Sequence, residues 1–307
     1  MTRRLAAKAV LLPVLLLALG AGTTAALPPR ADRDLRPPIA PFTTDPLPDR
    51  TVVVPMVFPV LGAVRWQNGY NTNRGSHRHT GIDILAPKMR PVVAPFPGVL
   101  GFKTQTFWIY GDNGYKCLGT HLNDDTPGTG DNRGHPDFMF APNLRRGDRV
   151  AAGQLIGYVG DSGVARGSHL HFELFAPDGV LVSPFPSLKA AGRITAPRPV
   201  LPNPLARPSA GEIRIEGCPR GWDPARRILT VLLVARQTAS GRGTAVAAPK
   251  WLRLFLPPPV VERAGGDAAL AALPRDRAVT LYVSESRDGK SGTVRRLVPP
   301  AEAAPQK

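Results

Sequence analysis

The segment GSHLHFEL at residues 167–174 constrains this chain more than any other stretch. Apolar and polar residues alternate in it: Leu170, Phe172 and Leu174 against His169, His171 and Glu173. A period of two is typical of a β-strand with one buried and one polar face. The two histidines therefore point the same way, with Cα atoms about 6.6 Å apart, and both rings can reach one centre. They are either solvated surface histidines or part of a metal site, because imidazole is the commonest metal ligand.

All six histidines lie between residues 77 and 171. The segment HTGID adds His79 and Asp83, which on a straight strand would be about 13 Å apart, too far for one metal ion. We expect a bend at Gly81, where glycine makes a bend cheap. With either histidine of HLH, two imidazoles and a carboxylate would surround one point, as in a catalytic zinc site or a non-haem iron triad. The surplus imidazoles favour hydrolysis at zinc, since they can accept a proton and stabilise an oxyanion.

The N-terminus has the pattern of an export signal. Basic residues at its start precede an apolar core over 9–19 and small residues up to Ala26. This predicts a signal peptide over 1–26 that is cleaved near Ala26, and the apolar run is too short for a stable membrane anchor. Export by the general secretory route or by the twin-arginine route stays open. The sequence thus predicts a secreted or cell-envelope protein.

The charge of the chain favours an anionic partner. The formal net charge is +16, and it is +13 once residues 1–26 are removed. Such a surface attracts nucleic acid, anionic membranes, or the carboxylates and phosphates of a bacterial wall. Predicted export and the lack of a nucleic-acid-binding motif argue against nucleic acid. We therefore expect peptidoglycan as the partner, with no nucleic acid and no stable membrane anchor, and with the oligomeric state unknown.

Composition divides the rest of the chain into β-rich and proline-rich parts. Short apolar runs separated by turn residues predict a mainly β, antiparallel fold in both β-rich parts. The predicted segments are a Pro/Arg-rich linker or pro-segment at 27–51, a catalytic β domain at 52–188, a Pro-rich linker at 189–211, a small β domain at 212–298 and a tail at 299–307. The small domain has no histidine and a short helix candidate near 267–273, so we expect a stabilising or wall-docking role for it.

Two cysteines, Cys117 and Cys218, fall in different predicted domains. In an exported protein they could form one disulfide, and they could equally be two separate buried thiols. The sequence leaves both possibilities open.

Three ordered motifs carry a resemblance to a known family. HTGID at 79–83, GTHL at 119–122 and GSHLHFEL at 167–174, with GDRVAAGQLIGYVGDSG at 147–163, resemble the lysostaphin-type (LytM-like) zinc endopeptidases over about residues 56–188. The resemblance implies an antiparallel LytM-like catalytic domain that holds one zinc ion. By the same resemblance the zinc ligands are His79, Asp83 and His171. It also implies two catalytic histidines outside the ligand set, His169 and His121, one as general base and one for the oxyanion, in an order that stays open.

The function implied by this resemblance is an exported zinc-dependent endopeptidase that hydrolyses peptide bonds in peptidoglycan stems or cross-bridges. The alternatives are a non-catalytic LytM-like module that binds the wall or activates amidases, and a secreted protease for non-wall proteins. The complete histidine and aspartate set favours the enzyme, because a non-catalytic fold has no need for unligated imidazoles at an open metal.

Two departures from the family pattern affect the predicted cleft. Gly119 stands where the family usually has an aromatic residue, so we expect a wider cleft. The segment 122–146 is longer than a simple connection needs, so we expect a functional loop beside the cleft.

Overall fold

The structure is a computed structural model and describes residues 35–199, 207–241, 243–285 and 291–300. The predicted signal peptide and most of the predicted tail lie outside the described residues. Among the described residues, no helix has the length and apolar character needed to cross a membrane. The fold is mainly β with antiparallel sheets, which confirms the predicted fold class.

The described residues 35–199 contain nine strands and one short α-helix. They are β1 (Ile82–Leu85), β2 (Pro91–Val93), β3 (Gly98–Lys103), β4 (Thr106–Gly111), β5 (Lys116–Thr120), β6 (Arg149–Val150), β7 (Leu155–Tyr158), β8 (His169–Phe175), β9 (Leu181–Val182) and α1 (Phe185–Ala190). A sheet of seven strands runs in the order β1-β8-β5-β4-β3-β6, with β9 paired to β8, while β2 and β7 form a separate ladder. The predicted alternation in β8 is confirmed, since Leu170, Phe172 and Leu174 are fully buried.

Residues 35–50, which we name the N-terminal strap, lie against this sheet. The strap contains neither a strand nor a helix. Its carbonyl oxygens accept hydrogen bonds from side chains of the sheet and of the segment before β1; for example, Trp108 Nε1 donates to the carbonyl of Leu35 at 3.1 Å. Leu47 is buried and packs against Phe175 and Leu181. Part of the predicted linker 27–51 therefore packs on the sheet, because its backbone finds partners there.

The second half of the chain forms a closed barrel. Its elements are β10 (Ile213–Asp223), β11 (Ile228–Thr238), β12 (Gly243–Ala245), β13 (Trp251–Phe255), α2 (Pro258–Arg263), α3 (Gly266–Ala271), β14 (Val279–Glu285) and β15 (Ser291–Val298). Because β10 pairs with both β11 and β14, five strands form a closed barrel in the order β10-β11-β13-β15-β14. The short strand β12 pairs with β11. The pair β13–β15 is parallel and the other pairs are antiparallel. This is the five-stranded Greek-key arrangement of OB-type barrels.

The barrel is filled by aliphatic side chains. One face of each long strand points inward and is buried, with residues such as Leu229, Val231, Leu254, Leu281 and Val294. Strand β10 is 11 residues long and has register shifts after Glu216 and after Pro219. Such irregularities bend a strand, which lets β10 contact two neighbours around the barrel.

Ion pairs connect the segment 122–146 to the barrel. Asp137, in a 3-10 turn over Pro136–Phe138, accepts hydrogen bonds from Arg220 Nε and Nη2 at 2.9 and 2.6 Å. Arg145 pairs with Asp276 in the same region. The expected loop beside the cleft therefore also contacts the second half of the chain.

The remaining sequence features also have defined positions. The start of the predicted linker 189–211 packs on the segment before β1, since the guanidinium of Arg193 lies over the Phe58 ring, 3.6 Å from its centroid. The boundaries of the predicted domains stay a prediction. Cys117 and Cys218 are both buried free thiols, which is the second of the two possibilities left open by the sequence.

Candidate metal centre

Strand pairing brings the predicted site residues together. Strand β8 lies between β1 and β5, so that His171 is opposite Asp83 on one side and Thr120 on the other. His169 is two residues away on the same face of β8, and His121 directly follows β5. His79 lies before β1 and is buried. All five predicted residues therefore lie around one end of these three strands.

Three of these residues converge on one point. His79 Nε2 is 2.9 Å from Asp83 Oδ1, and His171 Nδ1 is 3.1 Å from the same oxygen. The two nitrogens are 3.1 Å apart. Three ligands at about 2.1 Å from a tetrahedral ion would be separated by about 3.4 Å, so small side-chain movements would admit a metal ion. His79, Asp83 and His171 could together hold one.

The outer atoms of these side chains also have partners. His79 Nδ1 donates to the carbonyl of Gly69 at 2.8 Å, and His171 Nε2 faces Glu173 Oε1 at 3.1 Å. When both rings are neutral, these contacts leave the lone pairs of His79 Nε2 and His171 Nδ1 pointing at Asp83 Oδ1. Three acceptor atoms at such short range repel one another unless a cation lies between them. The donor set therefore fits a bound metal ion.

Electrostatics favours a positive charge at the same place. Burial opposes the charge on Asp83, yet hydrogen bonds from His171 and His79 hold the pKa of its carboxyl far below the usual value. Burial also opposes a charge on His171, but its hydrogen bonds to Asp83 and Glu173 prevail and raise its pKa to about 9. The site therefore stabilises a positive charge between its carboxylates, whether that charge is a proton or a metal ion.

Two further imidazoles border this centre. The ring of His121 lies 4.7 Å from that of His169, between centroids, and 6.2 Å from that of His171. His121 Nδ1 donates to the carbonyl of Ser162 and His169 Nδ1 to that of Gly167, each at 2.8 Å. Each ring therefore keeps its Nε2 free, and His169 Nε2 is 3.6 Å from Asp83 Oδ1.

His121 is held as a neutral base in a strained conformation. Burial lowers its pKa, and the nearby His169 and His171 add to this effect against the opposing hydrogen bond to Ser162. Its φ is 68°, a left-handed value that costs a non-glycine residue about 1–3 kcal/mol. Strain of this kind persists where the surrounding structure fixes a functional side chain.

Two glycines beside the site lie at close contacts with neighbouring strands. The chain bends at Gly81, as expected, without a left-handed φ, and a Cβ there would collide with the carbonyl of Phe172 and approach His171 Cε1 at 3.0 Å. Position 81 requires glycine because the backbone of β8 at Phe172 lies too close for a Cβ. At Gly119 the ring of Phe107, which is fully buried, fills the space of the missing side chain. The expected widening of the cleft at Gly119 is therefore wrong.

The structure adds residues that sequence reasoning missed. Glu173 shares the polar face of β8 with His171, so its spacing of two residues was a usable signal. Arg74 Nη2 donates to Asp83 Oδ2 at 2.9 Å from a turn that folds back over the site, and its sequence context carries no such signal. The other histidines lie further out: His77 stacks on Phe42 with centroids 5.0 Å apart, and the His135 side chain is 60% exposed.

The fold and the site together define a class of protein. Two imidazoles and one carboxylate leave a fourth position open, and two free imidazole nitrogens lie beside it. This arrangement fits an open metal site with room for a further ligand better than a closed structural metal site.

Comparison with known proteins finds a peptidase family that matches part of the chain. The family described as "Peptidase family M23" matches this chain over residues 134–184. This range includes His169 and His171 but begins after His79, Asp83 and His121. This part of the chain therefore matches the M23 peptidases, and the resemblance seen in the sequence is confirmed.

Relatives match only part of the chain. The DD-carboxypeptidase/endopeptidase Mpg of Neisseria meningitidis serogroup B and that of Neisseria gonorrhoeae are each 34% identical over 101 residues, 31% of this chain. The match spans 19% of the length of these relatives. The catalytic domain of lysostaphin from Staphylococcus simulans is 22% identical with a TM-score of 0.32, over 41% of this chain and 92% of that domain. A putative glycyl-glycine endopeptidase LytM from Ruminococcus gnavus is 23% identical with a TM-score of 0.33, over 45% and 62%.

Proposed function

We propose that this protein is an exported, zinc-dependent endopeptidase that hydrolyses peptide bonds in the stems or cross-bridges of peptidoglycan. The observation that carries the proposal is the convergence of three acceptor atoms, on His79, Asp83 and His171, beside two imidazoles with free nitrogens. The match of residues 134–184 to a peptidase family supports peptide hydrolysis. The Mpg relatives are named as a carboxypeptidase and endopeptidase, which supports a wall peptide as the substrate.

The zinc ligands in this proposal are His79, Asp83 and His171. When bound, zinc supplies Lewis-acid chemistry, which acidifies water and polarises a carbonyl group. Glu173 and the carbonyl of Gly69 hold the two ligand rings in the required tautomers. The chain thereby presents neutral imidazole nitrogens and an ionised carboxylate to the ion.

The two free imidazoles supply proton transfer and oxyanion stabilisation. His121 is kept neutral by burial, so its Nε2 can accept the proton of the attacking water. We assign His169 to the developing oxyanion: as an imidazolium it donates from Nδ1 to the carbonyl of Gly167 and from Nε2, which faces the centre from β8, to the oxyanion. Donation from a fixed imidazole costs no reorganisation during the reaction.

The charge of the chain suits a wall substrate. A net charge of +13 after removal of residues 1–26 concentrates the protein on a polymer that carries carboxylates and phosphates. The signal-peptide pattern of residues 1–26 would bring the protein to that polymer.

The test is the release of new amino groups from purified peptidoglycan, with and without a chelator, together with zinc analysis. We expect release that the chelator abolishes and that added zinc restores. His169→Ala should lose release while still holding about one zinc ion, and His135→Ala, an exposed loop histidine, should keep both. A zinc-loaded, folded protein that releases nothing from any wall type would contradict the proposal.

A further inference from the structure

The outer face of strand β13 carries exposed aromatic rings. Leu252 and Leu254 point into the barrel, whereas Trp251, Arg253 and Phe255 point outward and are exposed. Trp251 is 39% and Phe255 is 38% exposed. Four residues of strand separate the two rings by about 13 Å along the barrel surface. Exposed rings that share one face are typical of a binding surface.

Positive charge accompanies these rings. On β11, Ile228 lies opposite Phe255 and Thr230 lies opposite Arg253. The guanidinium of Arg227, just before β11, is 5.6 Å from the centroid of the Phe255 ring. In the part of the chain that the structure describes, neither Arg227 nor Arg253 forms an ion pair. Residues 212–298 carry 15 Lys and Arg against 8 Asp and Glu.

We propose that Arg227, Trp251, Arg253 and Phe255, named here the β11–β13 face, bind the glycan strand of the bacterial cell wall, a proposal that rests on the proposed peptidase function. In OB-type barrels, linear polymers bind on the face of the second and third strands, which are β11 and β13 in this barrel. The two rings offer flat apolar surfaces to the C–H faces of sugar rings. The arginines pair with carboxylates that the glycan strand carries.

The β11–β13 face is connected to the candidate metal centre. The ring of Phe138 packs against Trp251 edge to face, with centroids 5.7 Å apart. Phe138 belongs to the segment 122–146, which begins directly after His121. The paired Asp137 and Arg220 fix this segment on the barrel. A glycan strand at Trp251 would therefore keep its peptides near the segment that leads to the cleft.

Single-stranded nucleic acid is the other polymer that exposed rings and arginines attract. It carries one phosphate per nucleotide, and its binding relies on many cations along the groove. The β11–β13 face offers two arginines without ion pairs, which matches a polymer with sparse charge. The same chain carries the proposed wall peptidase, so glycan is the partner that we commit to.

The experiment measures co-sedimentation of the full chain with purified peptidoglycan in the presence of a chelator, which prevents turnover. Peptide-free glycan strands, soluble stem peptides and a 15-nucleotide oligothymidine serve as competitors. We expect glycan strands to compete and the other two to fail. Competition by oligothymidine alone, or by stem peptides alone, would overturn the proposal.

The variants separate ring contacts from folding. Trp251→Ala with Phe255→Ala should weaken binding to the wall at least tenfold, whereas Trp251→Phe with Phe255→Tyr should stay within about threefold of the wild type. Arg253→Ala should weaken binding, and Arg263→Ala on α2, an exposed arginine away from the face, should not. Thermal melting checks that each variant is folded. If the double alanine variant is unfolded, Arg253→Glu takes its place, and unchanged binding by that folded variant would overturn the proposal.

Cleavage of a soluble stem peptide distinguishes this proposal from the proposed function. We expect the ring variants to cleave the soluble peptide at the wild-type rate and to lose activity only on the intact wall. A wild type that binds glycan through this face but cleaves no peptide would overturn the proposed function alone. The glycan proposal alone would be overturned if the wild type cleaves the soluble peptide and the ring variants bind the wall as well as the wild type does.

Discussion

Replacing Glu173 by glutamine tests how the proposed zinc ligands are held. Glu173 is 6% exposed, and its Oε1 lies 3.1 Å from His171 Nε2 and 2.5 Å from Thr80 Oγ1. Glutamine keeps the shape and an acceptor oxygen but removes the negative charge. His171 then loses the charged partner that makes its Nδ1 a better electron donor.

The size of the effect follows from these contacts. Loss of a residue that supports a metal ligand costs about 10–100-fold in metal affinity. A charge-assisted hydrogen bond is roughly twice as strong as a neutral one, so glutamine keeps part of the support. We therefore expect Glu173→Gln to weaken zinc binding about tenfold, which is about 1.4 kcal/mol. Glu173→Ala, which also leaves the Thr80 hydroxyl without its partner, should weaken zinc binding about 100-fold.

Zinc affinity is best measured by competition with a chromophoric chelator at constant pH. Glu262→Gln, on the exposed surface of α2, is the matched control and should bind zinc like the wild type. A zinc affinity of Glu173→Gln within twofold of the wild type would refute the reasoning. In that case Glu173 would serve the packing of β8 and not the metal.

Three further substitutions test other parts of the structure. His121→Ala should lower kcat by about 10²–10⁴-fold while zinc content stays unchanged, because only the proton acceptor is lost. Steady-state kinetics measures kcat and elemental analysis measures zinc, and a loss of zinc from this variant would contradict the assignment. Gly81→Ala should destabilise the protein by about 1–3 kcal/mol through the collision with the carbonyl of Phe172, and an unchanged melting temperature would contradict this. Asp137→Asn should cost about 3 kcal/mol by leaving Arg220 without its charged partner, as measured by urea unfolding, and a loss below 0.5 kcal/mol would argue against the contact.

Much of the candidate site could be predicted from short-range patterns. The alternation in 167–174 places His169 and His171 on the polar face of one strand, and the structure has that strand as β8. The count of imidazoles and the position of Asp83 predicted a metal site without any tertiary information. Spacing alone did not distinguish His169 from His171, because that choice depends on which residue β1 places opposite Asp83.

The parts that could not be predicted depend on long-range contacts. Arg74 reaches Asp83 because a turn folds over the site, and the chain contains many arginines in similar local contexts. Closure of the barrel depends on β10 pairing with two strands that are distant from each other in sequence. Gly119 was misjudged because the ring that fills its space, that of Phe107, comes from the neighbouring strand.

The N-terminal strap has a practical consequence for anyone who shortens this protein. The acceptors of its side-chain contacts with the sheet are largely main-chain carbonyls, such as those of Leu35 and Thr44, so most residues in it can be exchanged without loss of these bonds. Its length cannot be reduced in the same way. A truncated protein that starts at residue 52, as composition suggests, would leave the Trp108 indole N–H without its acceptor and remove Leu47 from its apolar contacts. Expression should therefore begin at Leu35 or earlier, where the compact unit starts.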